Sequence, residues 1–583
     1  MKNREKLEKI FPKDLSSRQK QYEALRMLYY EKEKTYEEIA NNFNFSEKYL
    51  RKIENLALTN KIDFFPEIKK GPKKLTTPKK IINKIIDLRK QNISIYDIKE
   101  KILEEDKQDI SIGCIQNFLS NTGFDKLKRR TAKQRGVHQK DLLIGKKSTT
   151  FDIKETKPFK IDCPNIGVFF FIPYIIESGI LDILKTCKLP ESSQINSTQA
   201  ILSFLLLKLI GNERLCHIQK FDQEPVLGIF AGLNILPKST YISTYSCRTS
   251  DIMLQNLQEK IHIKLREKYP QFYESEFINL DFHSIPHYGD ESQMEKVWCG
   301  AKHQVLKGAN TFLAQDGKSD VILFTKADVL RKNETNEIKN FIKYWKDVKK
   351  KNIDETLVFD CKLTKYEILD ELENKKIKFI TLRKRNNKLL EETLDIPDSD
   401  WKKVRLDIPK RKYQSFFVHE NKTKLGNCEN EFRQIIIKGH GREKPTFVIT
   451  NNWDLKIEKI LEVYAKRWHI ENKIGEVVAF FNLNALSSPI MVRIQFDIFL
   501  TSVADFLYHI FAQDLPRFEK CRAKTIFRKF IDMSGRLDFD GKEFVLKIRK
   551  RAHTPVLLGV EKLTKPFEIP WIKNTKMKIV WTA

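Results

Sequence analysis

The chain lacks the cysteine spacing that would staple or metallate a fold. Its nine cysteines, at 114, 163, 187, 216, 247, 299, 361, 428 and 521, include no CxxC pair. That scatter excludes a cysteine-based zinc finger and fits reduced thiols. Long apolar runs are missing as well. VFFFIPYII (168 to 176) is broken by Pro173, AILSFLLLKLI (200 to 210) is too short, and the run around FDIFLTSVADFLYHIF carries Asp497 and Asp505. None reads as a membrane span. MKNREKLEKIF, at the start, has charge but no apolar stretch, so no secretory signal is expected and the protein is placed in the cytoplasm. Acid is in the minority: 106 Lys and Arg against 77 Asp and Glu give +29 and a pI near 9.4. A positive excess of that size points to a polyanion, with nucleic acid the first candidate. What the chain does have is 41% hydrophobic and 11% aromatic residues over 583 positions, enough for several folded domains.

Residues 1 to 68 show a three-helix pattern of the helix-turn-helix kind. SRQKQYEALRMLYYEK comes first, then TYEEIANNF, opened by a capping box of Thr35 and Glu38, then SEKYLRKIENLAL, opened by Ser46. Ile39, Ala40, Phe43, Leu50 and Ile53 are spaced to form its core, and Lys48, Arg51 and Lys52 on the third helix are candidates for DNA contact. A basic connector, KKGPKKLTTPKK, leads into a second trihelical pattern over 69 to 135, with starts at Thr77-Pro78, Ser94 and Ser111, a stop at Gly123 and a basic tail. Two such units suit successive grooves of one DNA site, and a small bundle used for protein contacts fits the same pattern. Residues 136 to 275 read as a helical scaffold, and no internal repeat is visible.

From 277 to 382 the elements run βββαβαβ, an order that forms a mixed sheet flanked by helices. FINLDF ends near Asp281 and ETLVFDCKL carries Asp360, so both acids are expected near strand ends. Short polar strands from about 388 to 446 read as a β-rich insertion, after which TFVITN leads into the helix VYAKRWHIENKIG. Offsets of three and seven put Tyr464, Arg467 and Glu471 within roughly 60° of one another on that helix. The stripe reads either as an intrahelical ion pair or as one face of a site. Three carboxylates, two at strand ends and one on a helix, make a hard oxygen set of the kind that holds two Mg²⁺ ions. Asp290 and Glu291 are expected in a solvated turn, His283, on the same strand face as Asp281, behind the ligands or in packing rather than as a ligand itself, and Asp320, Asp328 and Asp370 in turns or on helix surfaces.

On these segments the chain resembles the DDE transposases of insertion sequences, in particular the insertion-sequence-four-like superfamily with a Y-x2-R-x3-E signature, here Tyr464, Arg467 and Glu471. FINLDFHSIPHYGD, LVFDCKLTKYEIL and ILEVYAKRWHIENKIGEVVAFFNLN are similar to its three acid segments, and the likeness runs from about 165 to 510. The resemblance implies a multidomain α+β chain with a ribonuclease-H-like core at 276 to 510, and a remaining C-terminal region at 511 to 583. It implies Asp281, Asp360 and Glu471 as ligands of two Mg²⁺, with Mn²⁺ able to substitute, and Tyr464 and Arg467 at the DNA-end phosphates. Double-stranded DNA as partner, a homodimer in the synaptic complex, no membrane, and a nucleoid-associated place in a prokaryotic cytoplasm follow from it. The expected function is cut-and-paste transposition; an inert or domesticated DNA-binding protein and a structure-selective nuclease are the alternatives. The signature lysine six residues past the glutamate is Val478 here, and Lys473 lies about 200° round the helix from Glu471. Trp401 is the insertion's only candidate for stacking on a flipped base, against ordinary packing.

Overall fold

The computed structural model describes residues 15 to 124 apart from 32, 60–61, 65–76 and 92, and residues 147 to 583 apart from 222–223, 289–293, 301–302, 328, 407–413 and 486–490. Most of the basic connector, the basic tail, Asp290, Glu291 and Asp328 therefore lie outside the described residues. The chain divides into two compact units, 1–142 and 143–583.

The first unit holds two groups of three helices. Helices α1 (Ser17–Tyr30), α2 (Tyr36–Asn42) and α3 (Glu47–Leu58) close on Ala24, Ile39, Ala40 and Leu50. The capping box forms at Thr35: its side chain accepts from the Glu38 backbone N–H, and the Glu38 carboxylate accepts from the Thr35 N–H at 2.8 Å. Ser46 caps α3 with its side chain alone, accepting from the Tyr49 backbone N–H at 3.2 Å. Helices α4 (Lys79–Lys90), α5 (Ile95–Asp106) and α6 (Ile112–Asn121) bury a separate core that includes Ile85, Ile98, Ile102 and Ile115. The α4 start is Pro78 without a side-chain cap, and Gly123, at φ +81°, provides the left-handed residue that ends α6.

In the second unit the sequence-derived order is found with one addition. Strands β2 (Phe277–Pro286), β4 (Gln304–Asp316), β5 (Ile322–Lys326), β6 (Thr356–Phe359) and β7 (Phe379–Leu382) appear with helices Glu337–Lys349 and Tyr366–Asn374 between them. β3 (Lys296–Cys299), four residues long and unexpected from sequence, forms a ribbon with β4. Gly308 of β4 is needed where the ribbon crosses β2, because a Cβ there would sit 2.3 Å from the Ile285 carbonyl oxygen.

The polar strands after 388 do not form a body of their own. β8 (Lys402–Arg405), β9 (Ser415–Lys424), β10 (Glu431–Lys438) and β11 (Thr446–Thr450) extend the same sheet in the order β3-β4-β2-β6-β7-β11-β10-β9-β8, with β5 on β4. Asp370 anchors the extension by accepting the backbone N–H groups of Glu429 and Asn430 at 3.0 and 3.1 Å.

The scaffold and the C-terminal region also differ from separate domains. β1 (Phe159–Cys163) pairs with β12 (Gly535–Phe539) in a second sheet completed by β13 (Phe544–Arg549), β15 (Thr575–Thr582) and β14 (Phe567–Ile569). One hydrophobic core then runs from Phe151 to Met577. At its centre helix α7 (Ser197–Leu209) packs on Met491–Gln513. By length and composition Met491–Gln513 could cross a membrane, but 89% of its most apolar window is buried inside the protein, which is how a core helix satisfies such a sequence.

Candidate functional site

Sheet register sets the two aspartates side by side. β2 and β6 run parallel with Leu280 opposite Phe359, so Asp281 and Asp360 are the next residues along each strand. Asp360 stands just past the end of β6, as expected. Asp281 does not end its strand: β2 continues to Pro286 because β4 pairs along it through Gly308. It is the neighbouring strand that stops there, and this opens the edge of Asp281 to a cavity.

The third acid arrives on a broken helix. Ile457–Lys466 and Trp468–Phe480 meet at Arg467, whose N–H bonds to the Tyr464 carbonyl three residues back at 3.1 Å. Tyr464, Arg467 and Glu471 nevertheless keep one face, all three lining a cavity of about 1010 Å³ that also reaches Asp360. The Arg467–Glu471 ion pair forms, with Nη2 donating to Oε1 at 2.6 Å, and the same guanidinium continues to Asp281, Nη1 donating to Oδ2 at 3.2 Å. The stripe is thus an intrahelical ion pair whose guanidinium also reaches the first aspartate. A second cavity, of about 510 Å³, is lined by Asp281 and Asp360 together.

Burial raises the Asp281 pKa to about 6, opposed by Arg467 and by the Phe282 N–H it accepts, and helped by the charges of Glu471 and Asp360. Burial works against the charge of Arg467, but Tyr464, Asp281, Asp360 and Glu471 outweigh it and raise its pKa. Burial likewise raises the Tyr464 phenol. Asp281 therefore feels both other carboxylates and the Arg467 guanidinium. Among the described residues no group of three or more His, Cys, Asp or Glu has its donors close enough to hold a metal ion. The donor set suits a hard divalent cation, and Arg467 already places a cation against two of the three acids.

Other residues fall into place around the site. His283 Nε2 lies 2.7 Å from the Asn484 side-chain oxygen, and burial lowers its pKa, as suits a packing residue. Asp320 sits in the β4–β5 turn at φ +62°, within 3.4 Å of His469. Val478 packs against the core. Lys473 is buried and donates to Asp505 at 2.7 Å, away from the acids. Trp401 is buried with Leu389, Ile436 and Phe447, under the Lys438 ammonium. Of the first unit's candidates, Lys48 and Lys52 are exposed. Arg51 pairs with Glu47 at 2.7 Å and stacks on Tyr36, its carbon 4.1 Å from the ring centre.

The structure adds basic residues that the sequence reading passed over: Arg383, Lys384, Arg385 and Arg442 line the larger cavity together with Asp360 and Glu471. The consecutive run Arg383-Lys384-Arg385, placed just after an apolar strand, was their visible signal.

No curated protein matches the chain. The structure of a piggyBac transposase synaptic complex with hairpin DNA is similar over 60% of this chain and 78% of that one, at 11% identity and a TM-score of 0.30. Two Mos1 structures, a strand transfer complex and a pre-cleavage transpososome, each cover 63% of this chain and 78% of theirs at 9% identity and a TM-score of 0.13. Those scores are too low to establish a common fold. A protein family matches more specifically: residues 273–504, the span that holds Asp281, Asp360, Arg467 and Glu471, match the transposase DDE domain.

Proposed function

We propose that this protein is a DNA transposase that cleaves the ends of its mobile element and joins them to a target, with Asp281, Asp360 and Glu471 as its catalytic acids. The observation that carries the reading is their convergence, two in adjacent register on parallel strands and the third tied to the first through Arg467, inside the matched span. The ribonuclease-H-like core fits the strand order β5-β4-β2-β6-β7, with β4 antiparallel to β2 and β6 and β7 parallel to it. Membership of the superfamily with the Y-x2-R-x3-E signature rests on the shared face of Tyr464, Arg467 and Glu471.

Each residue's part follows from its chemistry. The three acids would hold two Mg²⁺, or Mn²⁺ in their place, which when bound supply activation of the attacking oxygen and neutralisation of the leaving one. Arg467, held at the acids, is in reach of a scissile phosphate and can exchange its carboxylate partners for phosphate oxygens. Tyr464 packs beside it and fixes its direction, its ring centre 5.8 Å from the guanidinium carbon. Arg383, Lys384, Arg385 and Arg442 hold the backbone of the same strand. The helix-turn-helix reading assigns end recognition to α3, with Lys48, Arg51 and Lys52 on phosphates or base edges. A homodimer acting on two ends, in a prokaryotic cytoplasm, completes the proposal.

The second reading, a DNA-binding protein with a silent core, is favoured by one observation, the guanidinium that occupies Asp281 and Glu471. Incubating the purified chain with Mg²⁺ and duplexes from the DNA flanking its own coding sequence separates the two. Strand nicking supports the transposase; specific binding without nicking supports the silent protein.

A further inference from the structure

The C-terminal region brings two basic stretches together. Residues 517–533 and 547–553 expose Lys520, Lys524, Arg528, Lys529, Lys550 and Arg551, against Glu519 and Asp532 as their only acids. The Phe518 ring joins them, its centre 4.9 Å from that of Phe530 and 5.8 Å from that of His553. Lys529 Nζ stands 3.1 Å from His553 Nε2, and Arg551 Nη1 donates to the Asp532 carbonyl at 3.2 Å. The cations thus share one neighbourhood. Among the described residues none of the six makes an ion pair, whereas nearby Arg536 and Lys547 both pair with Asp538. Between Phe527 and Ile531 the backbone makes a π-helical turn, the Asp532 N–H reaching the Phe527 carbonyl five residues back at 2.8 Å. Such turns are rare and recur at functional sites. This one carries Arg528 and Lys529.

The same region borders the helix that bears the third acid. The Ala523 N–H donates to Glu476 Oε1 at 2.8 Å, and Glu476 lies about 140° round that helix from Glu471. What the cations hold is therefore on the flank turned from the acids. None of the large apolar side chains left exposed lies in the two stretches, although a membrane surface or a protein interface would need such anchors. A run of phosphates needs only the charge. We infer that this face holds the phosphates of a duplex DNA segment other than the strand at the acids. The inference rests on the proposed DNA activity and gives a binding role to a region beyond the matched span of 273–504.

The test acetylates the full chain with an N-hydroxysuccinimide ester and maps the labelled lysines by peptide mass, alone and with a random duplex of about 40 bp. Lys520, Lys524, Lys529 and Lys550 should each label at least about threefold more slowly with the duplex. Lys524→Gln combined with Lys550→Gln, two lysines with no partner among the described residues, should bind it about tenfold more weakly and lower the salt slope by about two. Unchanged labelling of these four lysines, or protection by phosphatidylglycerol vesicles or single-stranded RNA and not by the duplex, would overturn the inference. So would an unchanged salt slope in the double variant. Strand nicking without protection would sink this surface and leave the transposase reading standing, and protection without nicking would do the reverse. A chain in which the duplex protects no lysine at all would overturn both.

Discussion

At the residue scale the site turns on Arg467 and its two carboxylates. Glu471→Gln keeps shape but removes the charge a metal site needs, so strand cleavage should fall to background while duplex binding by gel shift stays near normal. On the proposed roles Arg467→Ala should weaken both, since a guanidinium offered to phosphate would be lost while the acids stay. If the stripe were only an ion pair, each change would cost a few tenths of a kcal/mol and cleavage would persist. A second residue-scale prediction concerns pH. His262 is buried against Tyr273, with Nδ1 3.1 Å from the hydroxyl, and burial lowers its pKa from 6.5 to about 3. Between those values the unfolded chain binds a proton that the folded chain refuses. Stability should therefore be intact above pH 6.5 and fall as pH drops, by about 1.4 kcal/mol per unit from this group. Urea midpoints for the wild type and His262→Gln across pH 4 to 7 check it, the variant showing the shallower slope. The acids and the stripe were legible in sequence because carboxylates after apolar strands and a helical period leave local marks. The contact from Arg467 to Asp281 was not, since it joins residues 186 apart.

At the scale of elements, the Trp468–Phe480 helix is held from behind by charge. Lys473 and Asp505 are 4% and 1% exposed and lie 2.7 Å apart, a pair whose burial is tolerable only while both members are present. Lys473→Met should destabilise the second unit by about 3 to 5 kcal/mol and displace Glu471 with its helix, and adding Asp505→Leu should recover most of the loss. Thermal unfolding of the single and double variants measures both steps. In the first unit, Thr35→Ala removes one half of a capping box and should cost about 1 kcal/mol, seen as an earlier melt of residues 15 to 124. The core strands were readable because apolar runs bounded by turns identify themselves one at a time. What β8 to β11 pair with was not, because alternating polar strands announce a sheet without saying whose edge they join. β3 escaped notice for a simpler reason: KVWC is too short to show a period. The break at Arg467 leaves helical backbone angles and a good side-chain pattern on both sides, so composition carried no sign of it.

For the whole molecule, the division near residue 142 has a direct consequence. A fragment covering residues 1 to 142 should fold alone and bind duplex DNA with an affinity that drops steeply as salt rises. Fluorescence anisotropy at two salt concentrations tests it, and salt-independent binding would count against the assignment. The larger unit offers no comparable cut, because a strand at 159–163 is completed by one at 535–539. The Arg467 bridge matters here in another currency, heat resistance. A protein whose clustered acids repel one another until a cation arrives is stabilised by that cation and melts early in a chelator. This one carries part of its counter-charge within the chain, Arg467 pairing with Asp281 and Glu471, so it should fold without dissolved metal. The chain should melt cooperatively in EDTA, and Mg²⁺ should raise the midpoint only in proportion to the ion it binds at the acids, a shift that Glu471→Gln should reduce.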